Sequence, residues 1–402
     1  MRDEQASQMK PGKGPASIAR GNGHGSKKTM PRLAFVRPNC SSLCHIRGSE
    51  MQYFEYPPAR QVLDDSVDRY LADGVHYRDL LKIRERITSW DDWPHAWAHF
   101  AREAEQRGDA LLGAGHKLTA AANFVRSSIY YHFAQYFQHY HPELKRELHG
   151  HKNRVFMRGA HLLNSPVQRV VFPFRGIQIA GHLRLPAGVT NPPVAICVGG
   201  ADTTKEDYFT FTDLCIERGI ATFAFDGPGQ GETAFEMLLI QDFEACIAAA
   251  IDYLETREEI DANRIGIVGR SMGGYFAPKA ASVEPRLKAL ACWGVMYDRE
   301  DMPTKTGIYA ATGLAMSGTE TLAEAVEFFK SWTLEGHVQN IKCPVFVTHG
   351  GLDSLPIEKA NRFVRELANG AEVMNWDDSG HCCHDRSHIM RPAIADFLKK
   401  HL

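Results

Sequence analysis

From about residue 165 onward the chain alternates short apolar runs with helical stretches, and this rhythm restricts the fold more than any other feature. Strands separated by helices pair in parallel within one sheet, so the pattern predicts a mostly parallel sheet with helices on both faces. Residues 170–174 and 177–185, joined at Arg175-Gly176, read as an antiparallel opening hairpin. Residues 193–198, 221–225, 264–268, 287–293, 344–348 and 372–376 read as parallel strands, giving eight in all. Helices are expected near 205–218, 240–257, 272–283, 356–368 and 389–400. Residues 298–340 break the alternation and read as a helical insertion, placed by the topology at the C-terminal edge of the sheet.

The preceding part reads differently. Residues 51–165 show helical spacing and no convincing strand, which predicts an all-helical cap domain before a catalytic domain at 166–402. Trp90, Trp93 and Trp97 recur at helical intervals, with Asp92 as the expected cap and Pro94 in the first turn. Val125, Ile129, Phe133 and Phe137 do the same in the next long helix. Core packing is the simplest account of these aromatic residues, and a pocket wall is the functional alternative. Residues 1–50 hold nine Lys/Arg against three acids among Pro, Gly and Ser, and are expected to be a disordered extension. They lack the apolar core of a signal peptide, and Met51 is an alternative start.

Composition narrows the class. A formal net charge of −2 over 402 residues gives no field to recruit nucleic acid, and no run approaches a membrane span, so neither partner is expected. Nine cysteines at irregular spacing fit reduced thiols in a cytoplasmic protein. Cys382 and Cys383 between His381 and His384 lack the spacing that zinc ligands use, so no metal is expected.

The run Gly269-Arg270-Ser271-Met272-Gly273-Gly274 lies between an expected strand and an expected helix. Glycines on both sides of a serine let a strand turn sharply into a helix and present the serine hydroxyl, so Ser271 is the candidate nucleophile. In a chain with 34 glycines the bare pattern arises easily by chance, so partners must support it. A serine needs an imidazole to take its proton, and the imidazole needs an acid to orient it. Asp353 and His381 follow in that order, each just after a later expected strand. Asp377, Asp378, His349, His384 and His388 compete for these roles but leave a strand less directly. Acyl transfer also needs N–H donors for an oxyanion; Met272 supplies one, and Ala201 or Gly200 in Gly199-Gly200-Ala201-Asp202 is the candidate for the other. The run Asp226-Gly227-Pro228-Gly229-Gln230-Gly231-Glu232 reads as a fixed loop shaping the pocket floor.

With these residues in place, the region 165–402 resembles the α/β-hydrolase superfamily. The strings GGADTTKED at 199–207, FDGPGQGE at 225–232, GRSMGGY at 269–275 and SSIYYHFAQY at 127–136 make residues 55–402 similar to a narrower group. That group holds 2,6-dihydroxypseudooxynicotine hydrolase, fungal polyketide-shortening pigment hydrolases and FrsA-like esterases. The resemblance implies a helical cap over the site, a homodimer, no cofactor, and cleavage of a carbon–carbon bond beside a ketone or of a related ester in a small molecule. It also implies an acidic pocket residue after the sixth strand, for which Glu300 and Asp298 are the candidates.

Overall fold

The computed structural model describes residues 52–299 and 307–402. Six helices come first: α1 (Ala59–Asp65), α2 (Val67–Ala72), α3 (Tyr77–Arg86), α4 (Asp92–Gly113), α5 (Lys117–Gln135) and α6 (Pro142–Ala160). An eight-stranded sheet follows: β1 (Val167–Phe174), β2 (Ile177–Arg184), β3 (Val194–Val198), β4 (Ala221–Phe225), β5 (Ile265–Arg270), β6 (Leu287–Trp293), β7 (Val345–Gly350) and β8 (Glu372–Trp376). Its order is β1-β2-β4-β3-β5-β6-β7-β8. β1 and β2 pair antiparallel, β2 joins β4 antiparallel, and the remaining pairs are parallel. The fold is that of an α/β-hydrolase with an N-terminal helical cap.

The central strands β3, β4 and β5 are buried at every position, as continuous apolar runs in a sheet covered on both faces require. The covering helices are α7 (Phe209–Glu217), α8 (Phe243–Glu255), α9 (Gly273–Ala281), α12 (Ile357–Glu366) and α13 (Ser387–His401), while α10 (Gly307–Ser317) and α11 (Leu322–Phe329) lie between β6 and β7. The first apolar core packs Phe223, Phe243, Ile247 and Phe276 on one face, and the second packs Phe211, Trp293, Ile394 and Phe397 on the other.

The cap has an aromatic core of its own. Tyr70, Trp93, Trp97 and Phe133 are fully buried, with ring centroids 4.6–6.1 Å apart where they meet. Core packing therefore accounts for most of the aromatic stripe. Asp92 does not cap α4; it is the first helical residue, and its Oδ2 accepts the Thr88 and Ser89 N–H groups at 2.9 Å, tying down the preceding bend.

Polar contacts join the cap to the sheet. Lys152 of α6 is fully buried, and its ammonium donates to Thr204 Oγ1 at 2.8 Å and Glu206 Oε2 at 2.5 Å. Glu206 meets Lys205 at 3.1 Å, and Lys205 reaches Asp226 and Glu232 at 2.8 Å each. Burial alone would raise the Glu206 carboxyl, but Lys152 and Lys205 outweigh it and hold the group well below its ordinary range. Replacing Lys152 by Met should leave Glu206 short of one cation and cost about 3 kcal/mol of stability, read as a lower urea midpoint at constant m-value.

Candidate active site

The turn at Ser271 is sterically forced. Ser271 has φ +59°, a left-handed conformation that few non-glycine residues adopt. Its N–H donates to the Trp293 carbonyl at 2.9 Å, and Gly274 N–H donates back to the Ser271 carbonyl at 2.7 Å. A Cβ at Gly269 would stand 2.0 Å from the Gly273 carbonyl oxygen, one at Gly273 would stand 2.2 Å from that of Val198, and one at Gly274 would stand 1.9 Å from that of Gly294. The glycines are thus required by backbone packed against backbone, where nothing can give way.

Three residues from three strand ends meet at this turn. Ser271 Oγ lies 2.8 Å from His381 Nε2, and His381 Nδ1 lies 2.8 and 2.9 Å from the two Asp353 oxygens. A carboxylate only accepts, so Nδ1 carries the proton and Nε2 is left as an acceptor facing the hydroxyl. Asp353 also accepts the Leu355 N–H at 2.9 Å, and its side chain is wholly buried. Burial pushes the Asp353 carboxyl up, yet His381 and these hydrogen bonds prevail and hold it at about 2. Burial pushes His381 down, but Asp353 more than compensates and raises it well above its ordinary value.

Three of the competing residues have other partners. His349 Nε2 lies 2.9 Å from the Leu355 carbonyl oxygen, His384 Nε2 is 3.3 Å from Arg270, and Asp378 pairs with Arg386 at 2.7 Å. Asp298 is bound by Lys359 of α12 and bridges to Thr333, so its charge is already met by the protein. Glu300 and the expected extension at 1–50 lie outside the described residues. Cys382 and Cys383 are buried free thiols in left-handed conformation, with Cys382 Sγ 3.5 Å from both the Trp293 carbonyl oxygen and His381 Nε2.

Gly200 packs directly on the serine: a Cβ there would meet Ser271 Cβ at 2.9 Å and Oγ at 3.2 Å. Gln230 holds this loop, its Nε2 donating to the carbonyls of Gly199 at 2.7 Å and Gly200 at 2.9 Å while its Oε1 accepts the Gly227 N–H at 3.1 Å. In a trans peptide the N–H points opposite the C=O, so this grip turns the N–H groups of Gly200 and Ala201 away from Gln230. Met272 is the residue just before α9, and its N–H stands at the positive end of that helix. The Gln230 loop therefore fixes the direction of these two peptides. Its specific role was hidden in sequence because the contact spans 30 residues.

The description "Esterase FrsA-like" matches residues 88–300, and that of the prolyl oligopeptidase family matches 211–402. The chain belongs to the FrsA-like esterase family of α/β-hydrolases. It is 32% identical over 336 residues to the 2,6-dihydropseudooxynicotine hydrolase of Paenarthrobacter nicotinovorans, covering 82% of this chain and 90% of that one. It is 28% identical to the 20-hydroxy-prefusarin hydrolase of Gibberella moniliformis, covering 70% and 78%. The crystal structure of the 2,6-dihydroxy-pseudo-oxynicotine hydrolase superposes with a TM-score of 0.77 at 30% identity, covering 84% and 95%. The protein is thus a hydrolase, and among its described residues no helix is long and apolar enough to cross a membrane.

A base must be neutral to accept a proton, so hydrolysis that depends on His381 should fade on acidification from above about pH 6.5, the ordinary imidazole value. Asp353→Asn removes the charge that raises the imidazole; the acidic limb of kcat/KM should move to lower pH and kcat should drop by about 10⁴-fold. Gln230→Leu should lower kcat by about tenfold or more with the fold intact, as measured by steady-state kinetics beside circular dichroism.

Proposed function

We propose that this hydrolase cleaves a carbon–carbon bond adjacent to a ketone in a small aromatic or polyketide-like substrate, with Ser271 as nucleophile, His381 as acid and base, and Asp353 as its orienting partner. The carrying observation is the unbroken line of contacts from Ser271 Oγ through His381 to Asp353, 2.8 Å at each step. Likeness to 2,6-dihydropseudooxynicotine hydrolase over 90% of that protein's length supports the substrate class. The reading extends to a homodimer on that resemblance, to a cytoplasmic location on the irregularly spaced cysteines, and to residues 51–165 as cap domain and 166–402 as catalytic domain on the change of sequence pattern.

In this mechanism Ser271 Oγ forms a bond to the ketone carbon as its proton passes to His381 Nε2. The carbonyl oxygen gains negative charge and is met by the N–H groups of Met272 and of Ala201 or Gly200. Collapse of the adduct breaks the carbon–carbon bond, and its electron pair leaves with a fragment able to spread the charge as an enolate or electron-rich arene. That fragment takes the proton held by His381. Water, deprotonated by His381, then attacks the acyl-enzyme and releases a carboxylic acid, restoring the serine.

A second reading is a carboxylesterase using the same residues, favoured by the match to the FrsA-like esterase description over residues 88–300. An alkoxide leaves without help from the substrate, so this chemistry asks less of the pocket. Turnover of β-diketones and aryl ketones should exceed that of p-nitrophenyl esters; fast ester turnover with no ketone cleavage selects the esterase. Under either reading a fluorophosphonate should label the protein, and Ser271→Ala should abolish labelling and turnover together. Persistent turnover in that variant defeats both.

A further inference from the structure

A line of charged side chains runs from the cap into the loops on both sides of Ser271. Arg69 and Asp73 stand four residues apart at the end of α2, hence on one side of it. Arg69 reaches the loop that carries Gly200 and Ala201: its Nη2 lies 3.1 Å from Asp202 Oδ1. The Tyr136 hydroxyl closes a triangle, accepting from Arg69 and donating to Asp202 Oδ2. Asp202 directly follows Ala201, so a fixed carboxylate there restricts the adjoining peptide.

Asp73 reaches the other side. It accepts from Arg270 Nη2 at 3.0 Å and from Arg391 Nη2 of α13 at 2.7 Å, and Arg69 Nε lies 3.6 Å away. Arg270 immediately precedes Ser271, and its guanidinium lies 5.0 Å from the Trp293 ring centroid, with that of Arg391 at 4.8 Å. Trp293 in turn supplies the carbonyl that receives the Ser271 N–H. Asp73 and Arg270 are each 1% exposed. Burial opposes the charge on Asp73, but Arg270 and Arg391 override it and keep the carboxylate ionised. Buried ion pairs of this kind add little net stability over apolar packing, whereas their directionality fixes geometry.

We propose that Arg69 and Asp73 form a two-headed clamp through which the cap positions the 199–202 loop and the Ser271 turn against each other, making both of them positioning residues for acyl transfer. The clamp rests on Ser271 being the nucleophile. It makes the cap part of the device that sets the distance between nucleophile and oxyanion donors. Misplacement of those donors by about 1 Å is enough to cost roughly a hundredfold in rate.

The test measures kcat per active site, counted by fluorophosphonate titration, for Arg69→Met, Arg69→Lys, Tyr136→Phe and Asp202→Asn on p-nitrophenyl butyrate. Arg69→Met should lower kcat per titrated site by about 10–100-fold while KM moves by less than about threefold, and Arg69→Lys should recover part of the loss. Affinity for a trifluoromethyl ketone, whose serine adduct bears the same oxyanion, should weaken in parallel with kcat. A merely structural role would reduce the number of titratable sites and leave kcat per site and inhibitor affinity at parental values; that result overturns the clamp. If Arg69→Met fails to fold, Tyr136→Phe and Asp202→Asn decide by the same readouts, because they keep side-chain shape. Failure of the nucleophile assignment looks different, since labelling would then survive in Ser271→Ala.

Discussion

The left-handed turn at Ser271 is the constraint on which the rest of the structure depends. One serine must hold φ +59° while its N–H is tied to Trp293 and its neighbours Gly269, Gly273 and Gly274 touch backbone on three sides. Strain of this kind persists only when the surroundings over-determine it. Here they do, through β3, β5 and β6 packed edge to edge and α9 starting two residues later. The parallel sheet is what brings the three strand ends together, and with them Ser271, Asp353 and His381.

Around that turn the protein spends its charge on orientation. Gln230 sets the direction of two peptides by holding their carbonyls, Asp353 sets the tautomer of His381, and Arg69 with Asp73 ties the cap to both loops. Lys152 anchors the next segment of the same loop through Thr204 and Glu206. Each is a buried or half-buried polar group tied by directional contacts to a segment remote in sequence, and such contacts favour one arrangement over others. Burial strengthens most the contacts of Lys152, Asp73 and Arg270, whose side chains are almost wholly removed from water.

Much of the architecture was legible beforehand. The expected runs at 221–225, 287–293 and 372–376 coincide with β4, β6 and β8; β4 and most of β6 are buried and write themselves as apolar stretches, whereas β8 is an exposed-to-half-buried edge strand. Asp353 and His381 were legible because each sits just past an expected strand. Asp92 was misread as a helix cap, since sequence spacing does not tell a residue that caps forward from one that receives the preceding bend. Asp298, one of two pocket acids that the resemblance implied, pairs with Lys359, which lies 61 residues away in sequence and is brought there only by folding.

By itself, then, the sequence determined the parallel sheet, the order of Ser271, Asp353 and His381 after successive strands, and the glycines that the turn demands, because each of these is encoded by local pattern or by position after a strand. The tertiary structure alone decided what holds them in register. Asp73 and Arg270 are 197 residues apart, Asp73 and Arg391 318, and Arg69 and Tyr136 67. No periodicity links such pairs. Their charges look like ordinary surface residues until the cap closes over the sheet and burial leaves them one another as partners.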